Sequence, residues 1–266
     1  MKKNIFNLFF TINLLFSGFI IIATLPAAAA ELSNAEAINI AGRQRMLTQR
    51  ITKSYCQIGL DISPHESRQQ LDDAIELFST QLAELKQFES SPEIVNALGD
   101  IESQWKIFSD LARSTPNLGD AKRLAAMDEQ LLQASERIVA QLEDLSGISA
   151  SRIVNISGRQ RMLSQRLAKF YMLLSWDPGS SSVVSEMDRA KNEFYGALHT
   201  LVEASENTPA INQQLAEAKL QWGWLNSSLV FDQEAYFPAI VADTSEKMLM
   251  IMEKVTGLYE RTVKNN

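Results

Sequence analysis

The chain has 266 residues, 45% of them apolar, and a formal net charge of −7. That length holds one large or two ordinary domains with a sizeable core, and the acidic balance speaks against nucleic acid or anionic lipid as a partner. Gly (11) and Pro (7) are sparse while Gln, Glu, Leu and Ala are abundant, which favours an all-α protein.

Residues 1–30 read as a secretory signal peptide. Lys2 and Lys3 give a basic start, an apolar run follows to Leu25, and Ala27 to Ala30 supply an Ala-x-Ala cleavage site. The competing reading is an uncleaved anchor, because the run approaches the length of a membrane span. Asn7, Asn13 and the alanine run favour cleavage after Ala30. The expected location is therefore the periplasm. No later segment is apolar enough to span a bilayer. Cys56 is the single cysteine, so no intrachain disulfide can form, and it reads as a small buried residue.

Ser33-Asn34-Ala35-Glu36 has the Ser-x-x-Glu pattern of a capping box, so the first helix is predicted over 34–59. Ser63-Pro64 opens a second helix, 65–89, with Leu71, Ile75, Phe78, Leu82 and Leu85 at helical spacing. Ser91-Pro92 opens a third, 92–113, with Ile94, Leu98, Ile101, Trp105 and Phe108 on one stripe. A turn around Thr115-Pro116-Asn117 leads to a fourth, 120–146, carrying Leu124, Met127, Leu131, Ile138, Leu142 and Leu145. The pattern then restarts. A fifth helix is predicted over 149–175, the turn Asp177-Pro178-Gly179 follows, and a sixth covers 182–206. Thr208-Pro209 opens the seventh, and the eighth is predicted over 234–262.

The restart is a repeat. Residues 39–55 (NIAGRQRMLTQRITKSY) and 155–171 (NISGRQRMLSQRLAKFY) agree at twelve of seventeen positions, at an offset of 116. Phe194, Leu198 and Leu201 answer Phe78, Leu82 and Leu85 at that offset, and Gln221-Trp222 answers Gln104-Trp105 at 117. The mature chain is thus expected to be two tandem antiparallel up-down four-helix units, 31–147 and 148–266. Only Ser146-Gly147 separates helices four and five, so these should run nearly continuously.

On a helical wheel, Ile40, Leu47, Ile51, Tyr55 and Ile58 form the ordinary core stripe of the first helix. Ile38, Gly42, Arg45, Gln49 and Cys56 form a second face opposite, with Met46 at its margin and Arg43 and Arg50 on a flank. Glycine inside a helix costs about 1 kcal/mol against alanine, and the chain accepts it at both Gly42 and Gly158. A missing side chain admits another backbone or a ligand. If the first and fifth helices meet there about a pseudo-twofold axis, Arg45 and Arg161 face each other. At about 4 Å and an effective dielectric near 20, two guanidiniums repel by about 4 kcal/mol. That arrangement requires an anion between them or carboxylates alongside. Neither box contains a carboxylate, and arginine's planar fork suits a planar oxyanion. The competing reading pairs the arginines with Glu or Asp from neighbouring helices; for Arg43, Arg50, Arg159 and Arg166 it is the simpler one. Gln49 and Gln165 are either ligand-orienting amides or plain helix formers.

At Gly42-Arg43-Gln44-Arg45-Met46 and Gly158-Arg159-Gln160-Arg161-Met162 the chain resembles the N-terminal sensor domain shared by nitrate/nitrite-responsive histidine kinases and type IV pilus methyl-accepting chemotaxis transducers. The resemblance implies periplasmic antiparallel four-helix bundles. In the kinases one nitrate lies between the first helices of two protomers, held by the arginine of each box and by backbone at the glycine. By position, Arg45 and Arg161 match the anion-binding arginine, and Gly42 and Gly158 match the glycine. The candidate ligand-binding set is completed by Met46, Met162, Gln49, Gln165, Arg43 and Arg159. Family members usually continue into a membrane span and an output module. This chain instead reads as two sensor domains fused, a monomer acting as a pseudo-dimer.

Catalysis has little support. The two histidines, His65 and His199, lie near no plausible nucleophile, and the Glu-x-x-His and Cys-x-x-Cys-His metal and haem patterns are absent. Asp72, Asp73 and Glu76 read as a solvated face, and Trp105, Trp222 and Trp224 as core. No cofactor or metal is expected. The leading expectation is an exported nitrate- or nitrite-binding accessory that reports to a membrane sensor kinase or chemotaxis receptor. The alternative is an interaction protein whose arginine face docks a receptor or pilus component without a small ligand.

Overall fold

The computed structural model describes residues 32–88, 91–146, 151–230 and 237–264. These contain eight helices and no strand: α1 (Asn34–Gly59), α2 (Pro64–Gln87), α3 (Pro92–Ala112), α4 (Leu118–Ser146), α5 (Ser151–Trp176), α6 (Ser181–Val202), α7 (Pro209–Ser228) and α8 (Pro238–Lys264). The signal segment lies outside the described residues. None of the described helices is long and apolar enough to cross a membrane.

Local chemistry sets most of the boundaries. The Ser33–Glu36 capping box is formed in both directions, which satisfies two of the helix's orphan N–H groups. Ser91 and Thr208 each cap through the side-chain oxygen, accepting from Ile94 N–H and Ile211 N–H, with proline following at the first helical position. Helix α6 ends at Val202 rather than at the expected 206. There the Asn207 amide donates to the carbonyls of Leu201 and Val202, supplying the C-terminal partners that a continued helix would have supplied. The expected continuity of α4 into α5, and the expected start of α8 at 234, fall on 147–150 and 231–236, outside the described residues.

Helix α1 packs on α2, α4 and α5; α5 packs on α1, α6 and α8; α3 closes on α4 and α7 on α8. The two box-bearing helices are therefore the shielded centre. From Ala37 to Gln57 only Asn39, Arg43 and Arg50 are less than buried. Both wheel faces of α1 are covered, as the second apolar-type face requires. The two helices run parallel and in register: Asn39 reaches Arg161, Arg45 reaches Asn155, and Gly59 faces the Trp176 ring.

The repeat extends into the core. Trp105 stacks on Phe78 with centroids 3.8 Å apart, and Trp222 stacks on Phe194 at 4.4 Å. The Tyr55 hydroxyl donates to Thr115 O and accepts from Asn117 N–H, hooking the α3–α4 turn; Tyr171 accepts from Phe237 N–H on the other side. Two expected core residues lie outside it. Leu145 is 59% exposed near the end of α4, and Trp224 is 70% exposed on the outer face of α7.

Candidate functional site

Arg45 and Arg161 are 0% and 1% exposed. Each guanidinium folds back over the glycine one turn earlier. A Cβ on Gly42 would lie 3.1 Å from Arg45 Nη2 and 4.0 Å from Arg161 Nη2; on Gly158 it would lie 3.0 Å from Arg161 Nη2. The two arginines thus converge on Gly42. The space that each glycine leaves is occupied by the arginine of its own box, not by a neighbouring backbone.

Each arginine is tied across the repeat boundary. Arg45 Nη2 donates to Asn155 Oδ1 on α5 (2.7 Å), and Arg161 Nη2 donates to Asn39 Oδ1 on α1 (2.6 Å). Carboxylates come from the outer helices. Arg45 Nη1 pairs with Glu136 on α4 at 2.6 Å, and Arg161 Nη1 with Glu253 on α8 at 3.0 Å. Each glutamate also holds the flanking arginine of the other repeat: Glu136 takes Arg159 at 2.5 Å, and Glu253 takes Arg43 at 3.1 Å. So the guanidinium repulsion foreseen from the boxes is relieved by carboxylates alongside. Those carboxylates lie outside the boxes, which is why box-by-box reading missed them. A signal was present: Glu136 and Glu253 stand at the offset of 117 that relates the two Gln-Trp pairs.

Burial pulls both inner guanidiniums below their ordinary value, and Glu136 and Glu253 oppose it. Arginine starts high enough to stay charged at neutral pH. Burial works against ionised Glu136 and Glu253 too, but each sits against two arginines, and the net shift is downward. Glu143 goes the other way. Burial raises its carboxyl, although it hydrogen-bonds Asn155 and feels Arg45.

The remaining candidates fall around this pair. Met46 and Met162 are buried in the core beside it. Gln49 and Gln165 are fully buried. The Gln49 amide donates to Asp128 Oδ1 (3.2 Å) and that of Gln165 to Ser245 O (3.2 Å), while each Oε1 has no partner among the described residues. Gln44 reaches the Phe78 carbonyl and Gln81, but its counterpart Gln160 has neither amide atom partnered among the described residues; Ala197 stands where Gln81 does. The flanking arginines follow the simpler reading. Arg50 pairs with Glu246, Arg166 with Glu129 and Glu186, and Arg159 also with Glu193. Arg159 and Arg166 thus bridge α4 to α6 at a seven-residue spacing, beside a cleft of about 680 Å³ whose wall includes Phe170. Two buried lysines in the repeated segments, beyond the boxes, were not singled out from sequence. Lys53 pairs with Glu246 at 2.5 Å, and Lys169 with Asp128 at 2.8 Å.

The family model for the type IV pili methyl-accepting chemotaxis transducer N-terminal domain matches residues 27–136 and, a second time, 146–234. One Gly-x-x-Arg-Met box lies in each matched segment. No curated protein and no solved structure matches the chain.

Proposed function

The chain belongs to the type IV pili methyl-accepting chemotaxis transducer N-terminal domain family, and on that premise we propose that it is a periplasmic sensor accessory that binds a small oxyanion, nitrate or nitrite, between α1 and α5. The observation that carries this reading is the convergence of two fully buried arginines, one from each box, on Gly42. A second observation agrees with it: Arg161 Nε is buried with no acceptor among the described residues. A buried charged donor without a partner costs more than the ordinary 1–3 kcal/mol of an unpaired polar group, and a planar oxyanion is the acceptor that such forks fit best.

Binding would draw α1 and α5 together through the inner pair. Helices α4 and α8 would follow, because Glu136 and Glu253 are attached to the same guanidiniums. A small differential contact of this kind is enough to bias a two-state element that a membrane kinase or chemotaxis receptor reads. The role is recognition rather than catalysis. The two repeats, taken as 31–147 and 148–266, act as the two halves of one intramolecular site.

The docking alternative draws less support. It needs Arg43 and Arg50 free to meet an acidic partner, yet both are mostly covered and already paired with Glu253 and Glu246.

Calorimetry with sodium nitrate and sodium nitrite, using chloride as control, tests the proposal. Heat for one of the oxyanions, lost in Arg45→Ala and Arg161→Ala, supports it. No heat at millimolar anion from the folded wild-type protein overturns it.

A further inference from the structure

We infer that Glu136 and Glu253 are built-in competitors for the anion and thereby set its affinity; this rests on the anion reading above. Each guanidinium carries five N–H donors, and on each inner arginine one of them is held by a carboxylate. Arg45 spends Nη1 on Glu136, Nη2 on Asn155 and Nε on the Gly42 carbonyl. Arg161 spends Nη1 on Glu253 and Nη2 on Asn39, and keeps Nε without a partner among the described residues. An anion entering between α1 and α5 therefore meets forks already held by carboxylates. The carboxylates already share the positive charge that the anion needs, so binding works against them.

The geometry lets the carboxylates yield. Neither glutamate depends on the inner arginine alone. Glu136 also holds Arg159, and Glu253 also holds Arg43, each the flanking arginine of the opposite repeat. A carboxylate that gives up its inner arginine stays paired with the flanking one, so no buried charge is stranded. The two glutamate side chains are 37% and 32% exposed, so each has room to move outward. The arginines cannot follow, because Asn155 and Asn39 hold them from across the seam. The four arginines share Glu136 and Glu253, Glu193 pairs with Arg159 alone, and Glu143 and Glu260 act on Arg45 and Arg161 from further out. A small anion therefore competes with these carboxylates for the inner guanidiniums, and claiming both forks means breaking two specific contacts, Arg45–Glu136 and Arg161–Glu253.

The two asparagines are positioning residues on this view. They set where the guanidinium plane lies, and the glutamates set how hard it is to claim.

The sign of the effect distinguishes this inference from a merely structural role. Glu136→Gln keeps the shape and removes the competing charge, so nitrate should bind tighter, by about tenfold, within the usual range of coupling between linked sites. Glu253→Gln should do the same, and the double variant more. Glu186→Gln, which removes an equal charge next to Arg166 and Arg189, should leave affinity within about twofold of wild type. The measurement is calorimetry of nitrate and nitrite with the full chain, with circular dichroism confirming the fold of every variant. Should Glu136→Gln fail to fold, Glu253→Gln carries the same prediction from the other side of the junction. Unchanged or weaker binding in the folded glutamine variants, with wild type binding normally, overturns the inference and leaves the anion site standing. No binding in wild type or in any folded variant overturns the anion reading, and the inference with it.

Discussion

Asp128 on α4 and Lys169 on α5 form an ion pair of 2.8 Å in which neither side chain reaches solvent. Burial pushes the Asp128 carboxyl up from its ordinary value and the Lys169 ammonium down, and the largest opposing influence on each is the other. Buried pairs of this kind are poor sources of net stability but are costly to break. Lys169→Met alone is expected to destabilise the protein by about 3–5 kcal/mol, because it leaves Asp128 uncompensated. Adding Asp128→Asn should recover most of that loss. Urea denaturation of the two single variants and the double variant measures both numbers.

Two glycines of α1 should respond oppositely to alanine. At Gly42 the new Cβ is tight only against the far end of Arg45, at 3.1 Å, with Arg161 Nη2 in ordinary contact at 4.0 Å. The flexible guanidinium can give way, and the helix gains about 1 kcal/mol of propensity. Gly42→Ala should therefore melt within a few degrees of wild type while losing nitrate affinity by about tenfold, because the fork is pushed off its position. At Gly59 the Cβ would fall 2.0 Å from the Trp176 ring, which is itself packed against the core. Gly59→Ala should cost about 1–3 kcal/mol despite the better helix former. Thermal melts of the two variants side by side check this contrast.

Acid should weaken the protein through the same arginine–glutamate pairs. Burial disfavours ionised Glu246, but Lys53 and Arg50 together hold its carboxyl below the ordinary value, as Arg45 and Arg159 do for Glu136. Burial also lowers Lys53, but from an ordinary value near 10, far from the acid range. A carboxylate depressed in the folded state stabilises above its unfolded pKa, about 4.3 for Glu, and that contribution is lost as pH falls through the folded value. The contribution of these pairs should therefore be fully present from pH 7 to about 5, and unfolding free energy by urea titration should fall below about 4.3. Glu246→Gln should shallow that fall, by about 1 kcal/mol for a partly exposed pair.

Tyr55 should matter for a reason unrelated to the ligand. Its hydroxyl is the anchor of the turn between α3 and α4, donating to Thr115 O and accepting from Asn117 N–H. Tyr55→Phe keeps the buried ring and removes the anchor. A loss of about 1 kcal/mol in stability with unchanged nitrate binding is expected, read by denaturation and calorimetry on one preparation.

The helices, the duplication and the second buried face of α1 were legible because they are periodic. Apolar spacing, proline and glycine punctuation, and an offset of 116 report local structure directly. The inner arginines could be placed for the same reason, since Gly42 and Arg45 share one helical face. What could not be read was which neighbour rotates which charge toward them. On a wheel of α4 alone, Glu136 is an ordinary polar-face residue; it becomes a partner only once the rotation of α4 against α1 is known. Nothing local marks Lys53 and Lys169 as buried. Their burial depends on Glu246 and Asp128, which lie on other helices. Trp224 shows the opposite error. Tryptophan at a helical position reads as core, yet it faces outward because Trp222 already stacks on Phe194.

The halves of the junction are alike without being identical. Ser245 stands where Asp128 does, at the offset of 117, and Ala197 where Gln81 does. Two identical chains meeting about an axis inherit every substitution in duplicate, so a residue that helps one side is imposed on the other. Two halves carried on one chain are free of that constraint. A mutation arrives on one side only and is judged there alone. The Asp128–Lys169 pair has no mirror image, so a ligand at this junction would meet two unequal sides, each open to separate selection.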